Sequence, residues 1–387
     1  DLELSGKPGE IRVEKDALGR PIAIGQETRR DKQDGSDLVT TIDRGVQTFV
    51  EKYLKDGIST WKAVGGSAVV MDPNDGSIIA MASLPSYDPA NFSYYPGKTY
   101  KNPVVSDLYE PGSIMKPLVM AAAINENKLV PQTQCTACDG PRQIGTYFIH
   151  TFDNKYHPNL TMTEVLINSD NTGMVFVGEK LGFTNLYSYM KRFGFGQKTG
   201  VDLQEEEEGS LRPINDYYPI DKATMSFGQG ISVTTMQMLR AWSALANGGY
   251  LVTPHLVSTI KSQGKDIKLN YKKGEQVIST STSTTVKEML ARVGKESETR
   301  FALDRIPELT DFRIAAKSGT AQIAVGGKYQ DTGTTASVIS FFPADHPRFL
   351  IIVKLDSPEV RQWGSDTAGP VLFSIMRDLA AYYRISP

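Results

Sequence analysis

Two cysteines in 387 residues are too few for a disulfide-dense scaffold, and a zinc site made of thiolates alone needs about four. They sit as Cys135-Thr136-Ala137-Cys138. A local disulfide, or a pair of loop thiols, accounts for that spacing best, with His150 and His157 keeping a Cys2His2 set open as the alternative. Long apolar runs are missing too: no stretch of about 18 apolar residues occurs, so no transmembrane helix is expected. Neither sign of charge dominates. The 42 Lys and Arg against 44 Asp and Glu leave a net charge of −2, which gives no general electrostatic reason to bind nucleic acid or anionic lipid. Compositional bias is absent as well. The 40% hydrophobic and 22% charged residues are ordinary globular usage and exclude collagen-like, fibrous and disordered classes. No internal repeats are found. The first residue is Asp1 rather than Met, so a processed or trimmed piece is expected, with any targeting segment out of view.

What is present reads as a short polar lead followed by a large mixed domain. Residues 1–38 are polar and glycine-rich. Two strand-like pieces, 11–13 and 21–24, flank a turn at 16–19, which predicts a small β-rich remnant or linker with no core of its own. Compact structure is expected over 39–387. A helix is predicted over 44–55 from apolar residues at 46, 49, 50, 53 and 54. The runs 67–72 and 77–83, joined through Asp75-Gly76, read as a hairpin. A long helix is predicted over 113–127, with Pro117 tolerated because it lies in the first turn. Further helices are expected across 162–192 and 234–247, the first opening on the capping-box pattern Thr161-Met162-Thr163-Glu164. The Ser/Thr run at 279–285 reads as a loop leading into a helix. Runs at 312–316 and 320–325, a hairpin of 336–342 with 349–355, and a last amphipathic helix over 367–383 complete the chain. Strands from both ends would share one antiparallel sheet with helices on its faces, an α+β fold.

Candidate chemistry has to be separated from decoys. Ser-x-x-Lys occurs five times, at Ser59, Ser113, Ser188, Ser258 and Ser262. Lys-[Ser/Thr]-Gly occurs at Lys198 and at Lys317, and Ser-Asp-Asn once, at Ser169-Asp170-Asn171. A serine nucleophile needs a base within reach and donors for an oxyanion. Ser113 follows Glu110-Pro111-Gly112, a turn at a helix start, and Lys116 shares its helix face. A helix N-terminus favours developing negative charge. Its dipole, with burial, draws a lysine toward the range of a base. Ser188 falls in mid-helix, Ser258 and Ser262 in a polar strand-and-turn region, and Ser59 in a loop beside Trp61. Lys317-Ser318-Gly319 lies between apolar strand runs, with Lys317 and Gly319 on one side. Gly319 would let a substrate backbone approach the strand. Lys198-Thr199-Gly200 reads as a turn before the acidic run 205–208.

Ser113-Ile114-Met115-Lys116, Ser169-Asp170-Asn171 and Lys317-Ser318-Gly319, in this order, resemble the three motifs of penicillin-binding proteins and serine β-lactamases. The flanking text sharpens the match. Tyr109-Glu110-Pro111-Gly112 before the serine, and the stretches 226–233, 244–249 and 317–322, resemble class B penicillin-binding proteins, the monofunctional transpeptidases. The resemblance covers about residues 39–383, and 16–22 resembles the end of that family's non-catalytic pedestal domain. The third motif often carries Thr where this chain has Ser318. The family's membrane anchor and most of its pedestal do not occur in the sequence, as expected of a trimmed piece.

The resemblance implies a β-lactamase/transpeptidase-like α+β fold, an antiparallel sheet flanked by helices plus an all-helical lobe. It also implies a reaction. Ser113 attacks the D-Ala-D-Ala carbonyl of a peptidoglycan stem peptide and Lys116 accepts its proton. Backbone N–H groups of Ser113 and Thr320 form the oxyanion hole. Ser169 relays a proton to the leaving D-Ala, with Lys317 tuning it and attracting the terminal carboxylate. Asn171 binds the substrate amide. Ser318, Gly319 and Thr320 form the substrate-binding strand, Thr320 meeting the carboxylate. An amine of a second stem peptide then takes the acyl group. The resemblance implies no cofactor or metal, covalent inhibition by β-lactams, a membrane glycan polymerase as partner, and a place on the extracytoplasmic face of a bacterial membrane. The wording around Ser113 inclines toward the division type.

Three alternatives use the same serine: a D,D-carboxypeptidase, a β-lactamase and a β-lactam sensor. The flanking motifs argue against all three. A β-lactamase would need a base for deacylation, and the acidic candidates between the second and third motifs are Glu179, the run 205–208, Glu275, Glu288, Glu296, Glu298 and Glu308, with several aspartates. Glu179 falls in a predicted helix and need not face the site, and 205–208 reads as a solvated loop. Taken alone, Ser169 and Asn171 would merely cap a helix near Met174, Lys317 would be a strand lysine with a solvated head, and Asn154, Tyr156 and His157 would be ordinary loop residues.

Overall fold

The computed structural model describes residues 2–262, 264–271, 273–297, 299–325 and 328–387. The chain divides into two units, one of residues 1–41 with 256–271 and one of 42–255 with 272–387. In the first unit, Glu10–Val13 pairs antiparallel with Glu27–Arg30. The expected strand at 21–24 is instead a turn, tied by a single Lys15–Pro21 bridge. Asp37–Thr40 pairs with Val257–Ser262, which pairs with Lys265–Lys268. A boundary at residue 38 therefore falls inside a strand, because the partner of that strand lies more than 200 residues later in the sequence. No apolar side chain described in this unit is buried, in keeping with its polar composition.

The second unit is built on a five-stranded antiparallel sheet. Its strands are β1 (Gly65–Met71), β2 (Ile78–Leu84), β3 (Ala315–Val325), β4 (Lys328–Phe342) and β5 (Phe349–Asp356), in the order β3-β4-β5-β1-β2. The two hairpins meet where β5 pairs with β1, Ile352 opposite Val69, so strands from the two ends of the chain close one sheet. β1 and β5 are buried along nearly their whole length, which explains their continuous apolar sequence: both faces are covered. Helix α1 (Arg44–Trp61) and the last helix, α8 (Ala368–Tyr382), cover one face. Val46, Val50 and Leu54 meet Val338, Ile351, Val353, Leu372 and Phe373 in a single core.

α1 is longer than the periodicity over 44–55 predicts. Asp43 caps it, Oδ1 accepting from the N–H groups of Gly45 and Val46. It runs on to Trp61 and so places Ser59 in its last turn rather than in a loop.

Six further helices pack on the opposite face and beyond the β3 edge. They are α2 (Lys116–Asn125), α3 (Met162–Ile167), α4 (Asn171–Leu181), α5 (Phe183–Arg192), α6 (Thr235–Ala246) and α7 (Thr280–Glu296). The Thr161/Glu164 capping box forms as expected. The Ser/Thr run is not a loop. Ser279 is an N-cap and 280–285 are the first turns of α7, because their hydroxyls cap and back-bond within the helix. Cys135 and Cys138 are disulfide-bonded and buried. Both thiols are thereby consumed, which ends the Cys2His2 alternative.

Gly57 shows how closely α1 and α8 approach: a Cβ there would lie 2.3 Å from Val371 Cγ2. Val has little rotamer freedom with which to yield. Gly57→Ala, which would help an exposed helix, should therefore destabilise the protein by about 1–3 kcal/mol in urea unfolding. Val371→Ala should also destabilise alone, yet the double variant should lose less than the sum of the two. Strict additivity would show that the two positions do not touch.

Candidate active site

Ser113 sits in a short 3-10 turn, Gly112–Met115, that runs directly into α2. The turn is possible because Gly112 takes φ +57°, a left-handed conformation that is easy for glycine. Segment 226–233, legible in the sequence only as flanking text, is its clamp. Gly112 N–H donates to Gly228 O at 3.0 Å, and Tyr109 and Val233 exchange backbone hydrogen bonds of 3.0 and 2.9 Å. Gly230 N–H donates to Glu110 Oε1 at 2.9 Å. Gly228 has to be glycine, since a Cβ would lie 2.2 Å from Gly112 O. Trp242, fully buried on α6, donates its indole N–H to Ile114 O at 3.0 Å and packs edge-on against Phe341 of β4. Nothing in the sequence pattern singled out Trp242. Its α6 periodicity reads simply as core.

The Ser-Asp-Asn triplet is a helix-to-helix junction. Ser169 N–H donates to Leu166 O and Asp170 N–H to Val165 O, the paired bonds of a Schellman ending for α3. The left-handed residue of that ending is usually glycine. Here it is Ser169, at φ +51°, a strained choice that places its hydroxyl in the site. Asp170, not Ser169 or Asn171, then caps α4, its Oδ1 accepting from Gly173 N–H and Thr172 Oγ1. The helix begins at Asn171 rather than near Met174.

Lys116 is completely buried. Its Nζ donates to Ser169 O at 2.5 Å, Asn171 Oδ1 at 2.7 Å and Ser169 Oγ at 3.2 Å. Loss of solvent holds its pKa well below the ordinary lysine range, the positive charge of Lys317 lowers it further, and the negative charge of Asp170 opposes both. Asn171 is fixed at both ends, its Nδ2 donating to His150 O at 3.0 Å. His150 in turn shares a 2.7 Å hydrogen bond with Tyr156. The loop containing Asn154, Tyr156 and His157 is thus anchored to the second motif.

The third motif lies on β3, the edge strand of the sheet. Lys317 is 2% exposed, with Nζ donating to Ser318 O at 3.0 Å, so its head is not solvated. Gly319 is needed for a different reason from the one its sequence suggests. A Cβ there would meet Ser337 Oγ at 2.9 Å, Pro111 O at 3.1 Å and Ile114 Cγ2 at 3.1 Å. The glycine lets the strand lie against the serine turn. Thr320 Oγ1 accepts from Gly364 N–H at 3.0 Å, a contact that no local sequence signal revealed.

Ser113, Ser169, Asn171, Ser318 and Thr320 line one cavity of ≈ 120 Å³. Phe152 and Trp363, both nearly half exposed, meet edge to face at its rim with centroids 5.5 Å apart. The decoys lie elsewhere: Ser188 in α5, Ser258 and Ser262 on the strand of the first unit. The loop at Lys198-Thr199-Gly200 has its own task. Its N–H groups and the Thr199 hydroxyl hold Glu206, which is 8% exposed. The run 205–208 is therefore not wholly solvated, because two backbone amides and a hydroxyl replace water for that one carboxylate. Glu179 faces away, paired with Arg142.

Trp242→Phe keeps an aromatic ring on Phe341 and removes the donor to Ile114 O. A buried carbonyl left unpaired costs about 1–3 kcal/mol, and the serine turn loses one restraint. Urea unfolding should show that loss. Labelling of Ser113 by a fluorescent penicillin should slow without any change in its pH profile. An unchanged labelling rate in a destabilised protein would show that the indole acts on folding alone.

The family described as penicillin binding protein transpeptidase domain matches residues 66–377. Stage V sporulation protein D of Bacillus subtilis is 35% identical over 398 residues, covering 100% of this chain and 60% of that protein. The peptidoglycan D,D-transpeptidase FtsI homolog of Mesostigma viride is 31% identical over 382 residues, covering 92% and 63%. The chain thus spans about three-fifths of the length of these relatives. A peptidoglycan synthetase of Bifidobacterium adolescentis has the same fold, with a TM-score of 0.87, 28% identity, and cover of 100% of this chain and 69% of that one. Penicillin binding protein 3 of Mycobacterium tuberculosis, solved with aztreonam, gives 0.83, 27%, 97% and 88%. With most of its length matched and its three motifs gathered around one cleft, the chain belongs to the penicillin-binding protein transpeptidase family.

Proposed function

We propose that this chain is the catalytic part of a peptidoglycan D,D-transpeptidase that is trapped covalently by β-lactams. The observation that carries the reading is the buried Lys116 amine, held by Ser169 and Asn171, two residues that line the cavity containing Ser113. Desolvation makes its neutral form accessible, as a general base requires. Ser113 Oγ attacks the carbonyl of the penultimate D-Ala and its proton passes to Lys116. The oxyanion is met by the backbone N–H groups of Ser113 and Thr320. Ser169 carries the proton on to the departing amine. Lys317 and the Thr320 hydroxyl, whose oxygen already accepts from Gly364, hold the terminal carboxylate. Asn171 keeps one Nδ2 hydrogen beyond its bond to His150 O for a substrate carbonyl. A β-lactam, which carries a strained amide and a carboxylate, enters as the donor does.

The substrate lies outside the cytoplasm, which supports an extracytoplasmic site of action. A glycan polymerase would supply the strands to be joined. The first unit fits the end of a pedestal, with its exposed short strands and, among the described residues, no buried apolar side chain. A β-lactamase is disfavoured because no carboxylate occurs among the described residues lining the Ser113 cavity. Deacylating water would have no positioned base there.

A fluorescent penicillin should label Ser113 alone. Ser113→Ala should abolish labelling, Lys116→Ala should slow it by ~10²–10⁴-fold, and Lys198→Ala should leave it unchanged. In a chase with excess unlabelled drug the label should persist for many minutes. Turnover within seconds, with hydrolysed penicillin accumulating, would make the chain a β-lactamase.

The acylation rate should rise with pH as Lys116 loses its proton, and level off above its lowered pKa. Lys317→Ala removes a positive charge that favours the neutral amine, so the rising limb should move to higher pH. Asp170→Asn removes a negative charge that favours the ammonium, so the limb should move to lower pH. Asparagine still caps α4. Stopped-flow acylation across pH checks both signs, and shifts in the same direction would contradict the assignment of the limb to Lys116.

A further inference from the structure

β5 carries a buried lysine that the chemistry at Ser113 does not use. Lys354 is 2% exposed. It stands in a polar row across the sheet, opposite Ser67 of β1 on one side and Ser337 of β4 on the other, and Ser337 in turn stands opposite Gly319 of β3. Residues directly opposite one another share a face of the sheet. The row therefore lies on the face where the serine turn covers Gly319.

An ammonium taken out of water has to be met by other groups. Asp356 and Tyr109 meet this one. Lys354 Nζ donates to Asp356 Oδ1 at 2.5 Å and lies 5.5 Å from the centre of the Tyr109 ring. Tyr109 is buried as well. Its hydroxyl and that of neighbouring Thr235 find no hydrogen-bond partner among the described residues, so the ring is not fixed through its oxygen. Its face, against the ammonium, is what has a partner.

We propose that Lys354 is a positioning residue for Ser113, tying the segment that delivers the serine turn to the middle of the sheet. The proposal rests on the transpeptidase reading in taking Ser113 as the acylated residue.

The segment gives this contact leverage. Tyr109 lies four residues before Ser113, with Glu110-Pro111-Gly112 between them. Pro111 has a fixed φ, Glu110 is tied to Gly230 and Gly112 to Gly228. A shift of Tyr109 is therefore handed on to Ser113 with little slack, and a misplacement of about 1 Å can cost ~10²-fold in rate. Backbone bonds to Val233 hold the main chain of Tyr109, and the ammonium holds its side chain against β5. A cation over a ring is attracted most where water is excluded. Charge acts in the same sense. The carboxyl of Asp107, two residues before Tyr109, is raised by loss of solvent, with the charge of Lys354 opposing that rise and the charge of Asp356 adding to it. One ammonium thus offsets two carboxylates, one on β5 and one on the segment leading to Ser113. Without it they would repel, and the segment would be pushed from the sheet. The charges that act on Lys116 are those of Lys317 and Asp170, so Lys354 sets the place of the serine and not the titration of its base.

The test is stopped-flow acylation by a fluorescent penicillin across pH, with endpoint labelling to count the folded molecules. Lys354→Met keeps the apolar stem and removes the charge. Its acylation rate per labelled molecule should fall about tenfold, the size of one desolvated cation–π contact, while the rising limb of the pH profile stays where the parent has it. Tyr109→Leu leaves the ammonium paired with Asp356 and should fall by a similar factor. The double variant should fall little further, because both changes remove the same contact. A parental rate in Lys354→Met, a limb displaced along the pH axis, or losses that multiply in the double variant would overturn the proposal. Should Lys354→Met give no labelled protein, Tyr109→Leu decides alone, and a parental rate there overturns it. If penicillin fails to label Ser113 in the parent, the transpeptidase reading falls, and this proposal with it.

Discussion

The site depends on the burial of one amine. Lys116 has no solvent contact, and a buried ammonium costs several kcal/mol unless its hydrogens are met. Three oxygens meet them, and all belong to the Ser169–Asn171 junction. The requirement is mutual. The junction is held in a left-handed, strained turn whose carbonyl and hydroxyl both point at that amine, and the amine is tolerated because the junction is there. Neighbouring charges then set its balance, Lys317 pushing toward the neutral form and Asp170 toward the charged one.

Around this contact the fold supplies three walls by three different devices. The serine turn is made by closely packed glycines, with Gly112 against Gly228 and Gly319 against Pro111 and Ile114. A side chain at any of these points would push the walls apart by ångströms. The junction wall is made by helix capping, where only residues 168–170 separate the end of α3 from the start of α4. The third wall is the free edge of the sheet. An edge strand is exposed to unwanted pairing, and here the helices packed beyond it leave a cleft beside β3. Trp242 joins the first wall to the sheet, because its indole holds the serine turn while its ring rests on β4.

Acidic groups outside the cleft show the same physics with another result. Glu206 is buried but receives its donors from the Thr199 loop, and Glu179 is held by Arg142. Both carboxylates are satisfied away from Ser113. On the proposed reading, an acyl-enzyme on Ser113 would then be left to an acceptor whose placement comes from binding, which is how a transferase differs from a hydrolase on one scaffold.

Much of this was legible in the sequence, because short-range physics governs it. Hydrophobic periodicity marked α1, α6 and α8, and two apolar runs joined by an Asp-Gly turn marked the first hairpin. The helix-start context and the motif order picked out Ser113 with Ser169, Asn171, Ser318 and Thr320, which the fold gathers around one cavity. The failures share a cause. The extension of α1 to Trp61 and the helical fate of residues 280–285 were decided by packing and capping. The true partner of residues 10–13 and the long-range pairing of Asp37–Thr40 required a register that no local pattern encodes. The roles of Gly319, Trp242, Gly364 and Glu206 arise from contacts between residues far apart in the chain. Sequence alone determined which groups could react, since reactivity is carried by residue type and local spacing. Tertiary structure decided which of them are brought together and in what state, because a lysine is drawn below its ordinary range only when the fold takes it out of water and sets a second charge beside it.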